Sequence, residues 1–220
     1  MTPNTGLHKL NIDEFWLFIL GSMQPEGIYS LVEKGCPAMQ EIRFHGRGGQ
    51  GTVAVSILLA EAFFSAGFYV QSFPAFGVER RGAPVEAYLR IDRKKIVLRT
   101  GITAPDCVLV QDSHLLATVD VTNGLRPDGW VLVNTPARGR TADAVAGFRT
   151  AAVDATRIGV EHGLGTRTHP MVNTAMAGAL ARIMEAPPLD CLTSAIRTPI
   201  AVKPERNVAA AVQAFETVQF

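Results

Sequence analysis

Closely spaced cysteines are missing from this sequence of 220 residues, which contains only three. Cys36, Cys107 and Cys191 form neither a C-x-x-C metal pair nor a disulfide framework. Because iron–sulfur clusters are held by sets of neighbouring thiolates, we expect no cluster on this chain. Cys107 lies in an apolar strand-like run and Cys191 in a predicted helix, so both are interpreted as buried free thiols in a reducing compartment.

An excess of charge of one sign is missing too, since 21 Lys and Arg residues almost balance 20 Asp and Glu residues. This balance gives no electrostatic reason to bind nucleic acid or an anionic membrane surface. Residues 15–20 are very apolar, but they are far fewer than the roughly 20 residues that span a bilayer. Neither a basic leader nor a small-residue cleavage site frames them as a signal peptide. We therefore predict a cytoplasmic protein without nucleic-acid or membrane partners.

The usual signatures of a self-sufficient enzyme are not found either. There is no G-x-S-x-G elbow and no Walker lysine–serine pair, and the histidines show no H-x-x-x-H or H-E-x-x-H spacing. These histidines are His8, His45, His114, His162 and His169. His45 alone is considered for a functional role, because it directly precedes a glycine-rich loop. The sequence indicates a binding or assembly partner rather than a complete catalyst.

The glycine-rich loop is the most informative feature that is present. Gly46, Gly48 and Gly51 satisfy G-x-G-x-x-G, the pattern of a strand that turns into a helix whose first N–H groups hold a phosphate or another anion. An apolar helix is predicted over residues 52–66, with Gly67 as its stop. The candidate anion-binding residues are Gly46, Arg47, Gly48, Gly49, Gln50 and Gly51.

A dinucleotide is disfavoured as the ligand of this loop. A dinucleotide site needs an acidic residue at the end of the second strand, about 20 residues on, to hold the ribose hydroxyls. The second strand is predicted over residues 68–73, and no acid stands at its end. The alternative is that the glycines only let the first helix pack closely on the first strand.

A second charged loop covers residues 76–84. Glu79, Arg80 and Arg81 crowd three charges between two glycines and two prolines. Arginine forks suit phosphate or carboxylate recognition, so Arg47, Arg80 and Arg81 are candidates for one anion-receiving surface. The alternative is a structural loop in which Glu79 pairs with an arginine.

From residue 40 onward, strands alternate with helices. Strands are predicted over residues 42–44, 68–73, 85–91, 107–111, 130–134 and 150–154, and helices over 52–66, 113–116, 155–162, 174–185, 189–197 and 204–218. Residues 95–98 are expected to return after a tight turn and to pair with residues 85–91 as a hairpin. The prediction is an α/β domain over residues 39–220, with a Rossmann-like, open, mostly parallel sheet, helices on both faces and an inserted β-hairpin.

Residues 1–38 are interpreted as an N-terminal extension of this domain. A helix is predicted over residues 12–23, with Asn11 as its cap. Its face is too apolar to be left in water. It is expected to dock either on another subunit or on the chain's own domain.

Four segments of the chain resemble the gamma subunit, or the fused gamma domain, of the 2-oxoacid:ferredoxin oxidoreductases such as pyruvate synthase. They are residues 41–51 (EIRFHGRGGQG), 73–84 (FPAFGVERRGAP), 105–112 (PDCVLVQD) and 172–176 (VNTAM). Together they span the chain from about residue 40 to its C-terminus. The second segment is far more specific than a generic glycine loop.

The resemblance implies a subunit of an enzyme that oxidatively decarboxylates a 2-oxoacid and releases an acyl-coenzyme A. Thiamine diphosphate and iron–sulfur clusters would lie on alpha, beta and delta-type partner subunits, and ferredoxin or another acceptor would receive the electrons. This chain would be inactive alone and would contribute Arg47, Arg80 and Arg81 to the coenzyme A side of the site. Pyruvate, 2-oxoglutarate, and branched or aryl oxoacids such as indolepyruvate or phenylglyoxylate remain open as substrates. The alternative function is a free-standing Rossmann-type nucleotide-binding or regulatory protein.

Overall fold

The computed structural model describes residues 39–75, 82–136, 145–166, 168–197 and 202–220. Within these ranges one six-stranded sheet packs with five α-helices. The strands are β1 (Gln40–Arg47), β2 (Tyr69–Ala75), β3 (Pro84–Asp92), β4 (Cys107–Val110), β5 (Trp130–Asn134) and β6 (Arg149–Val153). The α-helices are α1 (Thr52–Ser65), α2 (Ala155–Glu161), α3 (Asn173–Met184), α4 (Leu189–Ile196) and α5 (Pro204–Thr217).

The sheet has the strand order β2-β3-β1-β4-β5-β6. β1, β4, β5 and β6 are parallel, whereas β3 is antiparallel to both of its neighbours, β1 and β2. The carboxyl ends of the parallel strands therefore meet at one edge of the sheet, where a ligand site is expected in an open α/β sheet. The predicted class, an open and mostly parallel α/β sheet, is confirmed.

A hairpin is present, but it is not the predicted pairing of residues 85–91 with residues 95–98. β2 and β3 form it, pairing from Tyr69 opposite Asp92 to Ala75 opposite Glu86. Residues 95–98 form no strand, and Val97 is 77% exposed. The reason is that β3 lies between β1 and β2, so both of its edges are already hydrogen-bonded and no edge remains for a returning strand.

Two hydrophobic cores lie on opposite faces of the sheet. The larger core lies under all five of the described α-helices and receives Cys107 and Leu109 of β4. The smaller core receives the alternate β4 residues, Val108 and Val110, because successive side chains of a strand point to opposite faces. In the described ranges a 3-10 helix, Ser113–Ala117, and loops cover this second face, where the sequence suggested further helices.

The helix predictions are confirmed to within one or two residues at each end. α1 stops as expected at Gly67, whose φ is +85° and whose N–H donates to the Phe64 carbonyl oxygen at 2.9 Å. Asp112 caps the 3-10 helix, since its carboxylate accepts from the backbone N–H of His114. No described helix is long and apolar enough to cross a membrane. The predicted helix of the N-terminal extension lies outside the described residues.

Candidate functional site

The glycine loop joins the end of β1 to the start of α1 at the carboxyl edge of the sheet. Gly49 has a φ of +96° and Gly51 a φ of +78°, a region that side chains rarely adopt. Gln50 closes the turn, because its N–H donates to the Arg47 carbonyl oxygen at 3.0 Å and its Oε1 accepts from the Arg47 N–H at 2.8 Å. The predicted strand, glycine turn and helix are confirmed.

Gly46 allows close packing, as the alternative reading of the loop proposed. A Cβ placed on Gly46 would collide with Thr52 Oγ1 and lie 2.7 Å from Gln111 Oε1. The packing interpretation therefore accounts for this glycine. Gly49 differs, because a Cβ there would meet nothing within 4 Å, so the turn itself is open.

The glycine loop is also bonded to the end of the second charged loop. The N–H of Gly48 donates to the Ala83 carbonyl oxygen at 2.9 Å, and the N–H of Gly82 donates to the Gly48 carbonyl oxygen at 3.2 Å. Glu79, Arg80 and Arg81 lie outside the described residues. Gly82, the first described residue after them, is anchored on Gly48 beside the glycine loop.

Arg47 is held at the loop by an ion pair. Its Nε donates to Asp112 Oδ2 at 2.7 Å, and its Nη1 donates to the Gly82 carbonyl oxygen at 3.1 Å. Burial alone would raise the pKa of the Asp112 carboxyl, but hydrogen bonds from His114 and Arg47 hold it below its usual value. The charge of Arg47 is thus balanced within the chain, and its two bonds tie the glycine loop to Asp112 and Gly82.

Gln111 follows β4 and places a buried amide against the glycine loop. Its Oε1 accepts from Thr52 Oγ1 at 2.7 Å, and its backbone carbonyl oxygen accepts from Asn134 Nδ2 at 2.9 Å. The residue is only 1% exposed. Its amide nitrogen, Nε2, has no hydrogen-bond partner, the one such buried side-chain atom recorded among the described residues.

Asn173 brings a second helix N-terminus to the same place. A Cβ added to Gly51 would lie 3.3 Å from Asn173 Nδ2, so the first residue of α3 sits over the start of α1. The sequence suggested Asn173 or Thr174 as the cap of this helix, but the N-cap position is Val172 and has no side-chain bond. Neither Gln111 nor Asn173 was predicted as a site residue. The available signal was that both fall within segments that resemble the gamma family.

His45 lies beside the loop in sequence but is engaged elsewhere. It is 3% exposed, and its Nε2 accepts from Arg43 Nε at 3.1 Å. Its Nδ1 lies 3.4 Å from Glu86 Oε1, and the other oxygen of Glu86 accepts from the Tyr88 hydroxyl at 2.9 Å. Both ring nitrogens therefore have partners within the sheet. This environment indicates a structural histidine.

The buried environment of His45 should make the stability of the domain depend on pH. Burial, opposed by Glu86 and assisted by Arg43, lowers the pKa of His45 from 6.5 to about 4. Between these values the unfolded chain binds a proton that the folded chain does not, so stability is complete above pH 6.5 and falls as the pH falls toward 4. We expect His45 to account for a loss of about 2 kcal/mol in the free energy of unfolding between pH 7 and pH 5.

Urea titrations at pH 7, 6 and 5 test this expectation. His45→Gln should lessen the slope of stability against pH. An unaltered slope in His45→Gln would assign the pH dependence to other groups.

Comparison with known proteins places the fold and the loop in a family. The family model described as pyruvate ferredoxin/flavodoxin oxidoreductase matches residues 41–217. The chain belongs to this family. The matched stretch begins in β1, immediately before the glycine loop, and continues into the last helix, so the whole described site lies inside the pyruvate ferredoxin/flavodoxin oxidoreductase domain.

The relatives are gamma-type subunits, so the resemblance seen in the sequence is confirmed. The chain is 47% identical over 188 residues to the pyruvate/ketoisovalerate oxidoreductases common subunit gamma of Pyrococcus abyssi, covering 82% of this chain and 98% of that one. It is 49% identical over 158 residues to the pyruvate synthase subunit PorC of Methanocaldococcus jannaschii, covering 72% and 84%. The crystal structure of the PORC subunit of Thermotoga maritima pyruvate oxidoreductase superposes with a TM-score of 0.70 at 35% identity, covering 83% and 98%.

Proposed function

We propose that this chain is the gamma subunit of a multi-subunit 2-oxoacid oxidoreductase that converts a 2-oxoacid to an acyl-coenzyme A. The observation that carries the proposal is the 47% identity to a gamma subunit along 98% of that subunit's length. Such identity along almost the whole relative supports a common fold and a common role in a complex. The alpha, beta and delta-type subunits are the proposed partners, with ferredoxin or a similar acceptor beyond them.

The proposal assigns thiamine diphosphate and the iron–sulfur clusters to those partners. A cluster needs several thiolates close together. Cys107 is buried in β4, where burial raises the pKa of its thiol well above the usual value, and Cys191 lies apart from it on α4. In the described ranges no three His, Cys, Asp or Glu side chains converge. The described residues therefore do not fit a cluster.

The chain's own proposed contributions are scaffolding and part of the coenzyme A site. The phosphates of coenzyme A match the N–H groups at the start of α1 and arginine forks. Arg47 lies at that edge, and Gly82 beside it anchors the end of the loop that carries Arg80 and Arg81. In this role residues 1–38 dock on a partner subunit, and the chain is inactive by itself.

Anaerobic purification of the chain from its own source tests the proposal. We expect it to bring down a thiamine-binding subunit and an iron–sulfur subunit, and the complex to reduce a dye in the presence of a 2-oxoacid and coenzyme A. Screening pyruvate, 2-oxoglutarate, and branched and aryl oxoacids identifies the substrate. A chain that purifies alone and stable would overturn the proposal in favour of a free-standing Rossmann-type binder.

The double replacement Arg80→Ala with Arg81→Ala tests the coenzyme A contribution. Loss of two charge-assisted phosphate contacts should raise the KM for coenzyme A at least tenfold, since a single such bond contributes roughly 1.5 to 3 kcal/mol. The KM for the oxoacid and the subunit composition should not change. Lys94→Ala with Lys95→Ala removes the same charge from an exposed turn and serves as the control. Disassembly of the Arg80 and Arg81 variant would instead assign the arginines to subunit contacts.

A further inference from the structure

Residues 95–99 have the sequence of a strand but form no regular structure. Ile96 and Val97 are β-branched, and β-branched residues favour strands. Within the described part of the chain, no backbone hydrogen bond is found for residues 95–99. The preceding strand, β3, already has a neighbour on each edge. The strand preference of this segment is therefore unmet inside the described domain.

The apolar side chains of the segment are open to water. Val97 is 77% exposed and Leu98 is 44% exposed, and Ile96 is half-buried. Single exposed apolar residues are common on protein surfaces. Here two adjacent ones coincide with backbone groups that no other described residue binds, whereas a loop that only joins two strands is normally rich in small polar residues, glycine and proline. The segment therefore has the character of a contact surface.

Both ends of the segment are fixed on the domain. Before it, the Lys94 N–H donates to Asp92 Oδ1 at 3.0 Å. After it, the Gly101 carbonyl oxygen accepts from Arg90 Nη2 at 3.2 Å, and Ile102 is only 3% exposed. A segment held at both ends loses less conformational freedom when it binds, which favours association.

The segment lies away from the glycine loop. Ile91, near the end of β3, pairs with Gln40 at the start of β1, whereas Pro84 pairs with Arg47 beside the glycine loop. Because the segment follows β3, it leaves the sheet at the edge opposite the loop. A contact made by the segment is thus separate from the proposed coenzyme A contribution.

The charge around the segment indicates the kind of partner. Residues 93–99 contain four cations and no acid, namely Arg93, Lys94, Lys95 and Arg99. Among the residues that the structure describes, none of these side chains forms an ion pair. A second copy of the chain would bring like charges together across a strand pair, which destabilises the pair. An acidic partner is therefore favoured over a second copy.

We propose that residues 95–99 pair as a strand with an acidic, extended segment of a partner subunit, with Val97 and Leu98 as the apolar contacts. In strand addition the main-chain hydrogen bonds supply affinity and the side chains supply specificity. The surrounding cations form the rim, where charges act mainly on the rate of encounter and the choice of partner. The inference rests on the proposed function, because that function supplies the partner subunits.

Hydrogen–deuterium exchange of the full-length chain, alone and within the purified complex, tests the pairing. Alternate amides of residues 95–99 should exchange at least tenfold more slowly in the complex, because a strand binds its partner along one edge and paired N–H groups are protected from exchange. Unchanged exchange in an intact complex would overturn the pairing and leave the proposed function standing.

Competition for assembly tests the apolar contacts. The double variant Val97→Ser with Leu98→Ser is co-expressed with an equal amount of wild-type chain, and the ratio of the two in the purified complex is measured by mass spectrometry. We expect the variant to be under-represented at least tenfold, because two large apolar contacts are lost. Val202→Ser with Val160→Ser is the matched control, since these side chains are 77% and 43% exposed, and it should be incorporated as well as the wild type.

Equal incorporation of the two double variants would overturn the contacts at Val97 and Leu98. Arg99→Glu tests the charge: it should be under-represented beside an acidic partner, and incorporation equal to or above that of the wild type would overturn such a partner. A chain recovered without any partner overturns both this inference and the proposed function. Protection of residues 95–99 in a complex that lacks thiamine and iron–sulfur subunits would support the pairing and overturn the proposed function alone.

Discussion

Replacing Gly178 with alanine is expected to destabilise the domain by about 3 kcal/mol, the size of effect seen when a well-packed core is overfilled. Gly178 lies within α3, and a Cβ added to it would collide with the carbonyl oxygen of Ala211 in α5. The obstacle is backbone rather than a flexible side chain, so a whole helix has to move. The facing residues of α5, Ala210, Ala211 and Ala214, are completely buried and leave no room for that movement.

The sign of the change in stability distinguishes close helix packing from helix propensity, because the two predict opposite effects of Gly178→Ala. In an ordinary helix, alanine is more favourable than glycine by about 1 kcal/mol, so helix propensity predicts stabilisation. Gly101→Ala is the control, because its Cβ would meet nothing within 4 Å and its φ is not positive. Urea unfolding should show a lowered midpoint for Gly178→Ala and little change for Gly101→Ala. A stabilised Gly178→Ala variant would show that α3 and α5 are less closely packed than described.

The sequence predicted local features well. The turn at Gly46, Gly48 and Gly51 depends on neighbouring residues alone, since the strand, the positive φ angles and the helix lie within one short stretch. The same holds for β5 and for the cap at Asp112. In each case the periodicity or the capping residue lies within a few positions of the element that it determines.

The order of the strands could not be obtained in this way. The sequence shows that residues 85–91 alternate, but not that β3 inserts between β1 and β2, because pairing is a choice between edges far apart in the chain. The insertion of β3 between β1 and β2 also argues against a dinucleotide as the ligand of the glycine loop. In the Rossmann arrangement the second strand lies next to the first and presents its ribose-binding acid there, whereas here β3 separates them.

The site was predicted in part for the same reason. The glycine loop was identified because its pattern is local. Gln111 and Asn173 were not, because they are 60 or more positions beyond the loop and come to it only through the parallel pairing of β4 with β1 and the packing of α3 on α1. His45 is the reverse case: it adjoins the loop in sequence, but Arg43 and Glu86 engage it within the sheet.

Glu41→Gln is expected to lower the free energy of unfolding by about 3 to 5 kcal/mol, because it removes one partner of a buried ion pair. Arg90 Nε donates to Glu41 Oε1 at 2.7 Å, and the two side chains are 1% and 10% exposed. The replacement keeps the shape of the side chain, so the expected loss reports the uncompensated charge of Arg90. Arg90 cannot turn to solvent, because Gln71 Oε1 and the Gly101 carbonyl oxygen hold its remaining nitrogens.

The matched control is Glu161→Gln, which breaks an exposed pair of similar length, Arg157 Nη1 to Glu161 Oε1 at 2.8 Å. Such pairs contribute little, so urea unfolding should show no resolvable change. The double variant Glu41→Met with Arg90→Met distinguishes the charge from the packing: it should recover most of the stability lost in Glu41→Gln, since well-packed apolar residues often replace a buried pair without loss. If the double variant is less stable than Glu41→Gln, the bonds of Arg90 to Gln71 and Gly101 contribute more to stability than the pairing of its charge. Those bonds would then hold the loop after β3 against the sheet.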